Sequence, residues 1–165
     1  MTTIGQAAFA SCSGLNCVTL PASVTTIGQE AFATCSSLIS VTLPASVPSI
    51  GLGAFCFCKS LTSVTIPDSI TSISDGMFDS CTSLTNMAIP ASVTTIGRLA
   101  FFKCSNLQHV YFAGNPPIMG PLVFDRTPAT LYYLPAFSEF WPATFADRPT
   151  QLWDPAITNT NLPAE

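Results

Sequence analysis

Apolar residues along this chain recur in a fixed frame. Phe9, Phe32, Phe55, Phe78, Phe101 and Phe124 stand 23 residues apart without a slip. Ile4, Ile27, Ile50, Ile73, Ile96 and Met119 keep the same period, as do Leu15, Leu38, Leu61, Leu84 and Leu107, and Cys12, Cys35, Cys58, Cys81 and Cys104. Chance does not hold four independent columns in register over five copies. Self-similarity at this period is the signature of a solenoid, in which each copy forms one coil and stacks on its neighbours.

The copy Leu61–Cys81 shows how a coil is built. Leu61, Val64 and Ile66 follow L-x-x-V-x-I, so Val64 and Ile66 face inward from a strand while Ser63 and Thr65 face out. Pro67 ends that strand, because it has no N–H to give a ladder. Ile70 and Ile73 turn the chain inward again through a second extended piece. Met77 and Phe78 then sit on a short helical turn or loop that closes the coil. Each inward side chain yields about 1.5–3 kcal/mol when fully buried. That offsets the ordering entropy only if neighbours cover both sides, so a lone copy does not fold.

The frame starts and ends irregularly. "MTTIGQAAFASCSGL" aligns with Val24–Leu38 as the back half of a coil whose strand is missing. The expectation is that further repeats precede it, or that another subunit covers Ile4, Phe9 and Leu15 to make a dimer or filament. After Phe124 the register decays. Thr127 takes the cysteine column, Pro128 follows, and Ala129–Pro135 reads as one final strand. The segment 131–155 holds both tryptophans and serves as a closing unit over the last apolar face. The polar segment 156–165 reads as a tail, which leaves 1–130 as the solenoid proper.

The motif L-x-x-V-x-[IL]-P-x-S-[VI]-x-x-I-[GS]-x-x-[AM]-F-x-x-C runs through Leu38–Cys58, Leu61–Cys81 and Leu84–Cys104, slipping to Met87 in the last. Over residues 1–127 it resembles the leucine-rich repeats of the BspA-like type. The resemblance implies a β-rich leucine-rich-repeat solenoid with short helical turns or loops on its convex side. Five to six coils and a C-terminal cap are expected, the segment after Pro135 looking like the closing unit of similar bacterial proteins. It also implies a secreted or cell-surface protein that adheres to partners without catalysis. In place of the Asn common after the strand stand Ser23, Ser46, Ser69, Ser92 and Asn115, read as a side-chain ladder satisfying turn amides.

Composition narrows the partners. Charged residues are only 8% of the chain, against about 25% in a typical domain. Solubility therefore rests on Ser, Thr and Asn. The net charge is −4, and Lys59, Arg98, Lys103, Arg126 and Arg148 are scattered, so no groove tracks a phosphate backbone and nucleic acid is not an expected partner. Dispersed acidic residues make no calcium loop. No run approaches the roughly 20 apolar residues of a membrane span. Met1–Cys12 has neither the Lys or Arg nor the apolar run of a signal peptide.

The cysteine column reads as a core ladder of free thiols. Parallel Cβ vectors disfavour disulfides between rungs. Cys56 and Cys58 form C-x-C, yet nothing completes a zinc set. Cys17 stands off the column on the exposed side of the first strand, as the thiol most open to reaction. The redox states of Cys17 and Cys56 stay open. His109 is the one histidine. It lies in line with Cys17 but four rungs away, roughly 19 Å at the strand spacing, so the two make no catalytic pair. Phosphate-cradling glycine loops, HExxH and GxSxG are absent from the sequence, and no enzyme, cofactor or metal is expected.

The outward strand positions remain. Thr19, Ser40, Thr42, Ser63, Thr65, Asn86, His109 and Tyr111 form a flat, uncharged face that turns aromatic toward the C-terminus. Such a face docks a protein or glycan partner, with His109 and Tyr111 as its anchors, or consists simply of solvated strand residues. A second column, Thr3, Thr26, Ser49, Ser72 and Thr95, would suit ice or a crystalline polysaccharide, or is only structural.

Overall fold

A computed structural model describes residues 2–153; the expected tail at 156–165 lies outside the described residues. A full coil makes two short strands, the second reduced to a single bridge residue, Ile50, in the coil that follows Leu38. In chain order they are β1 (Thr3–Ile4), β2 (Cys17–Thr19), β3 (Thr26–Ile27), β4 (Ser40–Thr42), β5 (Ser63–Thr65), β6 (Ser72–Ile73), β7 (Asn86–Ile89), β8 (Thr95–Ile96), β9 (His109–Phe112), β10 (Ile118–Met119) and β11 (Thr130–Tyr133). All pair in parallel, because every coil brings the chain back in the same direction. On one face Val18, Val41 and Val64 align across β2, β4 and β5, and Met87, Val110 and Leu131 align across β7, β9 and β11. A second face stacks β1 on β3 and β6 on β8 on β10, with Ile27 bridged to Ile50 between them. A slip of one residue would turn every inward Val and Ile to water, so the apolar column fixes the register.

The third side settles the choice between helical turns and loops. It is loop, made of successive tight turns whose alternate N–H groups donate to the next coil. Glu30, Phe32 and Thr34 give their N–H groups to the carbonyls of Leu52, Ala54 and Cys56 at 2.8 Å each. Holding those groups along the stack needs two left-handed residues per coil. Ala7, Glu30, Gly53, Gly76, Leu99 and Leu122 form one such column and Ser11, Thr34, Phe57, Ser80, Lys103 and Arg126 the other, all at φ between 51° and 61°. Only two of these positions are glycine, so the ladder outweighs an intrinsic cost of roughly 1–2 kcal/mol per residue elsewhere. Coils also approach closely: a Cβ on Gly51 would lie 2.3 Å from the backbone nitrogen of Gln29.

Inside, the phenylalanines stack from Phe9 to Phe124 with centroids 5.2–5.8 Å apart and rings within 12° of parallel. Beside them the cysteines do more than fill space. Each thiol donates to the phenylalanine carbonyl one coil back: Cys35 to Phe9 at 3.0 Å, Cys58 to Phe32 at 3.1 Å, Cys81 to Phe55 at 3.2 Å and Cys104 to Phe78 at 3.1 Å. Thr127 keeps the bond with a hydroxyl, 2.6 Å from the Phe101 carbonyl. Arg148 ends the series, its guanidinium 2.6 Å from the carbonyl of Phe124. A small buried donor is what this column demands, because an unpaired carbonyl inside the coil is costly. Burial pushes the Cys58 and Cys104 thiols up to about 12 and Cys81 well above its ordinary value. All seven cysteines are free thiols. Cys12 departs from the core assignment: it is exposed, on the first coil.

The serine ladder also differs from expectation. Ser46, Ser69 and Ser92 do not satisfy turn amides. Their hydroxyls donate to the carbonyls of Val24, Val47 and Ile70 at 2.6, 2.7 and 2.8 Å, tying one coil to the next. Turn amides are met instead by backbone, as where Val47 donates to Pro44.

The coil after Phe124 is short. β11 arrives two residues early against the repeat, yet stays in register with β9. A single 3-10 turn at Pro135–Phe137 leads to β12 (Thr144–Phe145) and β13 (Arg148–Leu152). β13 runs parallel beside β11, and β12 folds back antiparallel on its far side through Ala146 and Asp147, at φ 49° and 59°. Trp141 is buried in this closing unit, 4.8 Å from the Phe112 ring and 5.5 Å from Tyr133, and its indole N–H donates to the Gly114 carbonyl at 3.2 Å. Among the described residues no helix is long and apolar enough to cross a membrane.

Candidate ligand-binding face

The face of β2, β4, β5, β7, β9 and β11 that points away from the core carries two columns of side chains. The first runs Cys17, Ser40, Ser63, Asn86, His109 and Thr130, and the second Thr19, Thr42, Thr65, Ala88, Tyr111 and Tyr132. Neither contains a charged group. Across the first coils the surface is hydroxyl. Thr19, Thr42, Ser63 and Thr65 are exposed, Ser40 is half-buried, and the Ser40 hydroxyl lies 3.5 Å from the Cys17 sulfur.

Toward the C-terminus the face changes character. His109 Nδ1 lies 2.9 Å from Asn86 Oδ1, while Asn86 Nδ2 donates to the Thr85 hydroxyl at 3.2 Å. With the amide so oriented, Nδ1 carries the proton of the neutral ring and Nε2 is left as an acceptor. The imidazole sits 5.6 Å from the ring of Tyr132 and 6.2 Å from that of Tyr111. Tyr111 in turn stacks on Tyr132 at 5.1 Å and meets Trp153 at 5.1 Å in a tilted contact. These four rings form one aromatic platform on an otherwise hydroxylated sheet.

Two expected anchors therefore have different roles. His109 is half-exposed, as an anchor requires. Tyr111 is not: flanked by Tyr132 and Trp153, it keeps only 8% exposure, and burial raises its phenol above the ordinary range, with Tyr132 adding to the shift. It forms the middle of the platform, with its neighbours packed around it. The surface rings are His109, Tyr132 and Trp153. Tyr132 was legible in "TLYYL" as the outward residue of a strand. Trp153 was not, because only the return of β13 beside β11 brings it over Tyr111.

The other sequence candidates lie apart from this platform. Cys17 is exposed at the far end of the sheet, on β2. Cys56 is half-buried on the loop side, in a shallow cleft with Glu30, Asp75, Asp79 and Arg98. Burial, and then the Glu30 and Asp79 carboxylates, push its thiol up, which makes it a poor nucleophile. Among the described residues no three His, Cys, Asp or Glu side chains converge to hold a metal ion. At the first coil Phe9 is 37% exposed and Leu15 half-buried, whereas Ile4 is buried and adds no surface to a self-association patch. In the Thr3 column the outward hydroxyls run from Thr3 to Thr95 and end at Ile118, which is 75% exposed.

Stacked parallel coils, a continuous apolar core and a flat outward sheet define a leucine-rich-repeat solenoid. The chain belongs to the BspA type of leucine-rich repeat, whose family model matches six copies over residues 2–130. Solved structures agree. A T. pallidum leucine-rich repeat protein is 32% identical with a TM-score of 0.70, over 78% of this chain and 71% of that one. A leucine-rich cell surface protein from Faecalibacterium prausnitzii is 30% identical with a TM-score of 0.63, over 71% of this chain. The match spans 31% of that protein's length. A leucine-rich repeat protein from Bacteroides ovatus shares the fold at 20% identity and a TM-score of 0.62, over 93% of this chain and 52% of that one. A search of curated proteins found no significant match.

Proposed function

We propose that this chain is a non-catalytic interaction module of a secreted or cell-surface protein, and that it adheres to its partner through the strand face at His109, Tyr132 and Trp153. The carrying observation is the aromatic platform itself. Solvated strand residues account for the Ser and Thr of β2, β4 and β5, but they do not account for three half-exposed rings gathered over a buried fourth. Rigid rings with a polar edge give large contact area at low entropic cost, which is why they dominate binding surfaces. Cell-surface placement is supported by the family and by the F. prausnitzii relative.

The test is binding of fluorescently labelled protein to epithelial monolayers and to bacterial cells. Tyr132→Thr and His109→Ser restore the residues that earlier coils carry in the same columns, so the fold is kept. Saturable binding that falls at least tenfold in the double variant is expected. Equal binding by wild type and variant would place the partner elsewhere on the molecule.

A further inference from the structure

Resting on that reading of the face, we infer that its ligand is an uncharged glycan, one of whose pyranose rings stacks on Tyr132 and Trp153. Three observations carry this. The first is the absence of charge: across six strands the outward columns hold hydroxyls, a thiol, a methyl, an amide, an imidazole and phenol rings, with no Asp, Glu, Lys or Arg. A protein partner brings about a quarter of its residues charged, and each one buried against this sheet would lose water and gain no counter-charge. Neutral saccharides bring C–H, hydroxyl, ether and amide groups, and no charge.

The second is the geometry of the rings. One face of a pyranose is a patch of C–H bonds carrying slight positive charge, which complements the negative face of an aromatic ring. Tyr111 lies at the centre, 6.2 Å from His109 and 5.1 Å from both Tyr132 and Trp153, with Tyr132 near-parallel on one side and Trp153 tilted 58° on another. The buried Tyr111 fixes that arrangement, so little rotamer entropy is lost on binding. The third is the polar fringe. His109 Nε2 offers an acceptor to a sugar hydroxyl, since Nδ1 is committed to Asn86. Along the face from the platform come Asn86 and Ala88 on β7, and beyond them Ser63 and Thr65 and then Ser40 and Thr42 present further hydroxyls on strands about 4.8 Å apart, close to the advance of one pyranose unit in an extended chain. The reading is thus of a linear oligosaccharide lying across the strands, one end anchored on the rings.

The experiment uses the full chain and defined probes: linear hexasaccharides of glucose, mannose, galactose and N-acetylglucosamine, with hexagalacturonate as the anionic control. Binding is followed by calorimetry and by tryptophan fluorescence. At least one neutral hexamer is expected to bind saturably and stronger than hexagalacturonate, and to lose at least tenfold in affinity in Tyr132→Thr and in Trp153→Ser. Circular dichroism and thermal unfolding verify that each variant is folded, and His109→Ser, at an edge of the platform, supplies a milder perturbation that should weaken binding less. If no neutral hexamer binds at millimolar concentration, or if the folded variants bind as well as wild type, the glycan inference is overturned. Periodate oxidation of the target cells separates its failure from that of the wider reading. Binding that is lost in Tyr132→Thr but indifferent to periodate refutes the glycan and leaves the face standing. Periodate-sensitive binding that the variants keep refutes the face.

Discussion

The thiol column predicts an alkaline weakness whose size follows from the structure. Cys58 and Cys104 are fully buried and hold their protons to about 12, mainly because burial penalises the thiolate, whereas the ordinary value is 9.0. Their folded values are raised, so the thiols add no pH dependence below about pH 9. Above it the unfolded chain releases protons that the folded chain keeps, and stability falls with rising pH until about 12. At pH 10 each thiol should cost about 1.4 kcal/mol, and the pair about 2.8 kcal/mol, a factor of roughly a hundred in the unfolding equilibrium. Threonine is the substitution to use. Thr127 already occupies this column at 2% exposure and bonds the Phe101 carbonyl at 2.6 Å. In Cys58→Thr/Cys104→Thr the drop in stability between pH 7 and pH 10 should shrink by about 2.8 kcal/mol, whatever the substitution costs at pH 7. Urea denaturation at the two pH values, with a phosphine reductant and tryptophan fluorescence as the signal, measures that difference of differences. Identical pH dependence in the two proteins would mean that these thiols ionise alike folded and unfolded, and that the column is open to water.

Two shorter predictions test the stacking itself. A Cβ at Gly51 meets backbone at 2.3 Å, while Gly5 has nothing within 4 Å. Gly51→Ala should therefore lose more than about 2 kcal/mol, and Gly5→Ala stay within about 0.5 kcal/mol of wild type, in thermal or urea unfolding. A tolerant Gly51→Ala would show that the coils slide apart easily. Arg148→Met removes the bond to the Phe124 carbonyl and should cost about 1.5–3 kcal/mol. The loss should be concentrated in the closing unit and be visible as faster hydrogen exchange at Thr150 and Trp153. Unchanged protection there would remove Arg148 from the terminating role.

Some of this molecule was written in the sequence residue by residue. A coil that repeats its own register needs no long-range information, because each inward residue meets its own counterpart 23 positions away. Reading the column therefore gives the contact, as with Phe32 between Phe9 and Phe55. The direction of the serine bonds was misread because a hydroxyl both donates and accepts, and the choice is made by whichever coil backbone lies nearer. The left-handed loop positions were hidden for a related reason. Ten of the twelve are not glycine, their strain being offset by amides that pair between coils and leave no mark in any single repeat.

The sequence by itself determined the solenoid, its inward columns, the neutrality of its strand face and the aromatic turn of that face at His109. Periodicity and side-chain alternation are local properties, and they carry that much. Only the tertiary structure decided which rings stay at the surface. Tyr111 and Trp153 stand 42 residues apart and outside any common frame. Their contact exists because the chain breaks its period after Phe124, folds back through Ala146 and Asp147, and lays β13 beside β11. That return covers the ring the pattern pointed to and brings another to the surface beside it.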